Sequence, residues 1–449
     1  MPDFGSNFKA YDVRGLVADQ LTPEVAARIG RAAADVLVAD GESLVVGHDM
    51  RPSSRPLVDA FASGVTSRGV DVVDIGLTST DGLYYASGSL GAAGAMFTAS
   101  HNPPEYNGIK MCRAGAVPVS MDDGLGDVRD RALADDSPIG AATGTVTQQD
   151  ILADFADHVR SFVDTDAFQP MTIAVDAGNG MGGLVVPAVF DQLPIEVEAL
   201  YFELDGTFPN HPANPIEPEN LVDLQRVVVD RGLPLGLAFD GDADRMFAVD
   251  ERGEAVPSSL IGAVVADRML AREPGATVLY NLICSHTVPE TIEAAGGTAI
   301  RTRVGHSFIK ARMAETGAIF AAEHSGHYYF RDNFRADSGL IAALFLLEAV
   351  AAAGKPLSEV VAPYDRYVTS GEINFRVDDA AAVIDRLEAI YGPDARSVDR
   401  EDGLTVVLED GWFNCRPSNT EPLLRLNVEG DDAQAMAQLR DAIATTVQA

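Results

Sequence analysis

Three short segments carry side chains whose types and spacing could do chemistry together. The first is Thr98-Ala99-Ser100-His101-Asn102-Pro103-Pro104. A Ser followed by His, Asn and two prolines cannot continue a helix or a central strand, so the segment reads as an exposed turn. Turns of that kind present reactive hydroxyls. Ser-His adjacency is not a catalytic triad, and an ordinary Asn-Pro turn is the plain alternative. The second is Asp240-Gly241-Asp242-Ala243-Asp244-Arg245, directly after the apolar run 234–239. Carboxylates at i, i+2 and i+4 suit a hard cation bound through oxygen, Mg²⁺ or Ca²⁺. An EF-hand is excluded because Arg245 stands where that loop needs Gly, and residues 246–249 read as a strand. A solvated acidic turn stays open. The third is Glu323-His324-Ser325-Gly326-His327, which ends the apolar run 318–322 and offers polar groups to sugar hydroxyls, or a plain structural turn.

Two further segments complete the inventory. Arg416-Pro417-Ser418-Asn419-Thr420-Glu421-Pro422 combines a guanidinium fork with hydroxyls and backbone N–H groups, a cup for an anion. Gly178-Asn179-Gly180-Met181-Gly182-Gly183 matches a dinucleotide-binding G-x-G-x-x-G pattern. A lone match is weak, since glycine-rich turns occur wherever a helix packs tightly on a sheet.

The elements that must position these loops repeat as strand, glycine-rich turn and helix. Runs 43–46, 70–75, 92–97, 171–176, 277–282 and 299–303 read as strands, with helices over 53–68, from 183 to about 192, and 289–295. Such alternation argues for parallel α/β domains. The tail differs: 371–377, 405–408 and 423–428 read as strands and 433–447 as a closing helix, a smaller α+β unit. Boundaries are expected near 145, 252 and 367, giving units over 1–145, 146–252, 253–367 and 368–449, with one loop of interest in each. For 449 residues, about three domains at roughly 150 residues each is the bare expectation from length.

Composition narrows the classes. The chain carries 67 acidic and 33 basic residues, a formal charge of −34, and only Lys9, Lys110, Lys310 and Lys355 are lysine. A field of that sign repels nucleic acid and anionic membranes. No apolar run approaches the ~18 residues of a membrane span. Residues 1–15 lack the apolar core of a secretory signal, and the three isolated cysteines argue against disulfides. A reducing cytoplasm is the expected compartment. Dispersed acid with scarce lysine is similar to proteins from organisms with high internal salt, where repulsion is screened within ~3 Å at 1 M.

Taken together, Phe8-Lys9-Ala10-Tyr11-Asp12-Val13-Arg14-Gly15, the Ser-His-Asn-Pro loop, the three-aspartate loop, Gly305-His306, the Glu-x-Ser-Gly-His loop and the Arg-Pro-Ser-Asn-Thr-Glu-Pro loop resemble the α-D-phosphohexomutase superfamily, phosphomannomutase/phosphoglucomutase type. The resemblance covers essentially the whole chain. It implies three related α/β domains with mixed sheets and a smaller C-terminal α+β domain around a central cleft, and it reduces 178–183 to a structural turn. It implies an enzyme, an intramolecular phosphotransferase, interconverting hexose 1- and 6-phosphates of mannose or glucose through a phosphoserine at Ser100 and a hexose 1,6-bisphosphate. Mg²⁺ would be held by Asp240, Asp242, Asp244 and Ser100. Arg245, Arg14 and Lys110 would add positive charge, with Lys110 as the proton shuttle and His101 or His327 in support. Tyr11, Arg14, His306, Glu323, Ser325 and His327 would face the sugar, and Arg416, Ser418, Asn419 and Thr420 its non-transferred phosphate. The implied partners are small sugar phosphates, with the chain a monomer or homodimer. Two departures stand out: His48 in the Gly47–Arg51 segment, where Arg is usual, and no Lys around 281–285. Phosphoglucosamine mutase is the alternative within the superfamily, although His324 stands where Gln is usual there. Outside it, a Mg²⁺-dependent phosphatase using Asp240 and a non-catalytic sugar-phosphate sensor remain.

Overall fold

The structure is a computed structural model that describes residues 4–135, 143–417 and 423–448. Four sheets follow one another along the chain. The first runs Asp12–Leu16, Tyr106–Arg113, Ala93–Phe97, Leu44–His48, Val72–Leu77 and Val146–Gln148, with Val117–Pro118 added beside Tyr106–Arg113. Its last four strands are parallel, whereas Tyr106–Arg113 lies antiparallel to both neighbours. The second runs Ala255–Val256, Met246–Asp250, Leu235–Phe239, Met171–Asp176 and Ile195–Leu200, and the third Thr298–Thr302, Thr277–Asn281, Phe320–Ala322 and Tyr328–Phe330. Both join a parallel set to antiparallel edge strands. The fourth is wholly antiparallel: Val368–Phe375, Leu424–Gly430, Gly411–Pro417, Leu404–Val407 and Ser397–Asp399, backed by helices Ala380–Tyr391 and Ala433–Gln448.

The alternation alone argues for parallel α/β domains; the sheets are mixed, as the resemblance implies. Antiparallel strands such as Tyr106–Arg113 and Met246–Asp250 follow directly from the loops that bear Ser100 and the three aspartates. A short loop returns the chain beside its own strand, which a parallel crossover cannot do. Strand Val146–Gln148 pairs with Val72–Asp74 and so closes the far edge of the first sheet.

Helix Gly339–Ala353 is apolar except for Glu348 and is buried from Gly339 to Val350. It is a central core helix rather than a surface one. Ser338 caps its start, accepting from Ile341 N–H at 3.2 Å, and Gly354 ends it at φ 61°. One apolar cluster runs continuously from Val45 through Phe155, Leu237 and Phe345 to Val361, while the fourth unit keeps a separate core from Val383 to Val447. Among the described residues no helix is long and apolar enough to cross a membrane.

Candidate active site

Ser100 sits at the end of strand Ala93–Phe97 in a left-handed conformation, φ 50°. That is uncommon for a residue with a Cβ and marks a locally forced turn. Its N–H donates to Thr98 Oγ1 at 2.9 Å, and its Oγ donates to Asp240 Oδ2 at 2.7 Å. The aspartate loop comes that close because residue 241 is glycine: a Cβ there would lie 2.4 Å from the Ser100 carbonyl oxygen. The 178–183 turn braces the same loop, Met181 N–H donating to Gly241 O at 2.9 Å. That helix start is thereby spent on protein, as a structural turn requires.

Asp240, Asp242 and Asp244 are buried, and each offers an oxygen within 4.8 Å of the others. Asp242 Oδ1 and Asp244 Oδ1 are buried without a hydrogen-bond partner. Orphaned carboxylate oxygens are costly unless a cation meets them, so the donor set fits a hard divalent ion. Burial first, then the neighbouring aspartates, push Asp240 up to about 7, against Arg245. Burial acts most strongly on Asp242 too, but Lys110 and Thr80 overcome it and hold that carboxyl far below the usual range.

Lys110 Nζ bridges Asp242 Oδ2 at 2.8 Å and Asp244 Oδ2 at 2.6 Å. Desolvation pulls its pKa down, yet the two aspartates outweigh it and hold the ammonium well above the ordinary lysine value. Its ammonium thus places a positive charge between the two aspartates. Arg245 Nε donates to Asp240 Oδ2 at 2.9 Å and its Nη2 to His101 Nδ1 at 2.6 Å. Arginine can only donate, so His101 Nδ1 is an acceptor here. Burial, then Arg245, keep the imidazole well below its usual pKa. His101 is thus a neutral ring beside the Ser100 hydroxyl, 3.1 Å from Oγ. Arg14 donates to Asp12 at 2.8 Å and to Asn102 Oδ1, reaching the same loop.

The third unit brings its own groups. Glu323 accepts from Asn281 Nδ2 at 3.1 Å and from Tyr329 Oη at 2.6 Å, which commits one lone pair of each oxygen and leaves another. Asn281, in the segment without lysine, therefore orients Glu323. His327 Nδ1 meets Ser325 Oγ at 3.0 Å, while its Nε2 lies 3.7 Å from Asp244 Oδ1 and 4.0 Å from Asp337 Oδ2. Tyr11 packs edge-on to His306, ring centroids 5.0 Å apart. Burial, then Lys310, lower His306 to about 3. Arg416 is 2% exposed and paired with Glu372 at 3.1 Å. Ser418, Asn419 and Thr420 lie outside the described residues.

Sequence reasoning passed over several groups here. Thr80 Oγ1 donates to Asp242 Oδ2 at 2.6 Å. Asp337 pairs with Lys310 at 2.9 Å, and Lys310 lies 3.7 Å from the Tyr84 ring centroid. The rarity of lysine was the one available signal for Lys310; Thr80 and Asp337 gave none.

Comparison with known proteins agrees with this geometry. The chain matches, in succession, phosphoglucomutase/phosphomannomutase alpha/beta/alpha domain I over residues 5–130, domain II over 153–253, domain III over 257–367 and the C-terminal domain over 372–446. It is 40% identical over 435 residues to the phosphohexose mutases of Xanthomonas campestris pv. campestris, covering 96% of this chain and 97% of that protein. A phosphomannomutase of Salmonella montevideo is 41% identical over 433 residues, 94% of each chain. The crystal structure of a phosphoglucomutase/phosphomannomutase family protein from Burkholderia thailandensis superposes with a TM-score of 0.89 at 33% identity, covering 99% of this chain and 97% of that one. A full-length match at this level, in the domain order the four sheets display, makes the chain a member of the phosphoglucomutase/phosphomannomutase family of enzymes, within the α-D-phosphohexomutase superfamily.

Proposed function

We propose that the chain interconverts hexose 1-phosphate and hexose 6-phosphate by relaying a phosphoryl group through Ser100 Oγ. Mannose and glucose phosphates are the substrates, and the relatives named phosphomannomutase support mannose. The observation that carries the reading is the contact of a strained loop hydroxyl with a buried triple-aspartate cluster, 2.7 Å from Asp240. Phosphoryl transfer asks for alignment and charge neutralisation more than for covalent help. Mg²⁺, held by Asp240, Asp242, Asp244 and an oxygen on the Ser100 phosphate, supplies that neutralisation when bound.

In the first half-reaction the free sugar hydroxyl attacks phosphorus in line, the bond from phosphorus to Ser100 Oγ breaks, and the hydroxyl's proton ends on Ser100 Oγ. The product is a hexose 1,6-bisphosphate. Once it has turned over in the cleft, Ser100 attacks the other phosphate and the released sugar oxygen takes the proton back. Arg14, Arg245 and Lys110 balance the charge of the moving group. Glu323, Ser325, His327, His306 and Tyr11 meet the sugar, and Arg416 with 418–420 holds the stationary phosphate in either orientation.

The test is a coupled assay with mannose, glucose and glucosamine 1-phosphates in the presence of Mg²⁺ and catalytic bisphosphate. Isomerisation at constant free phosphate is expected, with turnover falling about 10³-fold or more in Ser100→Ala while its circular dichroism stays unchanged. Stoichiometric phosphate release would favour the phosphatase, and an active Ser100→Ala would remove the relay.

A further inference from the structure

The Ser100 loop has no regular structure, two prolines, and a cavity of about 160 Å³ along its outer side, between 101–104 and the second unit's Thr207, Phe208 and Pro212. Hydrogen bonds hold it in place, and Arg51 makes the largest number of them to its backbone. This residue, at the end of the Gly47–Arg51 segment, is 2% exposed. Its Nε donates to Asp49 Oδ2 at 3.2 Å. Its Nη1 donates to Pro103 O at 2.8 Å and Tyr106 O at 3.1 Å. Its Nη2 donates to Ser100 O at 2.9 Å and Asn102 O at 2.6 Å. A guanidinium has five N–H groups, and all five are used, four of them on carbonyls of one seven-residue loop.

The anchor is itself fixed on both sides. Asp49 Oδ1 accepts from Arg51 N–H at 3.0 Å and from Ser54 Oγ at 2.6 Å. The Phe208 ring lies over the guanidinium, 5.0 Å from centroid to Cζ. The second unit approaches so closely that a Cβ on Gly206 would be 2.5 Å from Arg51 Cα. One planar cation thus joins the hydroxyl-bearing loop of the first unit to a loop of the unit that carries the aspartates.

We propose that Arg51 is a positioning residue for phosphoryl transfer: it fixes the Ser100 carbonyl, and through it Oγ, at the distance from the aspartate cluster that in-line transfer requires. The role rests on the Ser100 relay proposed above. Lysine cannot substitute, because an ammonium has three donors on a point and leaves loop carbonyls orphaned.

The test compares Arg51→Lys with the parent chain. Expected is a kcat about 10²-fold lower with KM within about threefold, since misplacement by an ångström costs transfer rather than binding. Amide hydrogen exchange over 100–106 is expected to quicken about tenfold while strands 93–97 and 235–239 keep their protection. Guanidinium ion added to Arg51→Ala should restore part of the lost kcat with KM unchanged. A kcat within about threefold of the parent, or unchanged exchange in the loop, overturns the proposal. Should Arg51→Lys fail to fold, Phe208→Ala replaces it: kcat about tenfold lower at constant KM supports the anchor, and unchanged kcat sinks it. The exchange measurement needs no turnover. An inactive parent would therefore refute the mutase reading while still judging the anchor.

Discussion

Asp81 is fully buried, and its carboxylate accepts from Gly82 N–H at 2.9 Å, from Ser338 Oγ at 2.6 Å and from Ser79 Oγ. Burial, the largest effect, pushes this carboxyl up to about 7 despite those donors. The unfolded chain releases the proton near ~3.9. Between these values the native state holds a proton that the unfolded state has lost, so stability falls as pH rises through the window and levels above it. Asp81→Asn cannot titrate. Its stability relative to the parent, read by urea unfolding at fixed salt, is expected to improve between pH 5 and pH 8 by on the order of 2 kcal/mol; a difference flat with pH would contradict the assignment. What was readable at this scale was local chemistry. The Ser100, Asp240–Asp244 and Glu323–His327 loops announce themselves by types and spacing within seven residues. Arg51, Thr80 and Asp81 do not, because their partners stand 49, 162 and 257 residues away. No local pattern encodes such pairings.

Helix Thr80–Leu90 shows how one element serves two others. Its first residue donates its backbone N–H to Asp242 O at 3.1 Å and its hydroxyl to Asp242 Oδ2 at 2.6 Å. The hydroxyl aims a carboxylate proposed to hold Mg²⁺, from a different unit of the chain. Groups that orient a metal ligand are typically worth 10–100-fold in affinity. Thr80→Val is therefore expected to weaken Mg²⁺ binding about tenfold by calorimetry, with Thr80→Ser close to the parent; equal affinity in Thr80→Val would deny the hydroxyl that role. Elements with a steady apolar rhythm were legible: strand Met171–Asp176 and helix Ala433–Gln448 stand within a residue of expectation. Strand Tyr106–Arg113 was not, because Gly108 and Asn107 are poor strand formers and only pairing on both sides keeps the segment extended. That strand places Lys110 opposite Asp12 and Met96, so the missed element is the one that delivers a site cation.

Across the molecule, a charge of −34 stores self-repulsion that folding concentrates. At 1 M salt the screening length is only ~3 Å, so the melting temperature is expected to climb as KCl rises from dilute buffer to molar levels. Constant melting across that range would show that the acids are already balanced where they stand. Ion pairs offset part of the repulsion, as between Glu348 and both Arg268 and Arg272, but the acids outnumber the bases two to one.

The interior is divided unevenly as well. One apolar mass reaches through the first three units, the first of which also holds a separate cluster from Phe4 to Ala132, whereas the fourth has its own and meets the third through Leu282, Ile283 and Trp412 and through bonds such as His286 N–H to Glu429 Oε1 at 3.0 Å. Such a seam buries little oily surface and rests in part on charged links such as Arg301 to Asp399 at 2.6 Å, so loosening it would leave the hydroxyl and the aspartates, which belong to the first two units, at their mutual spacing.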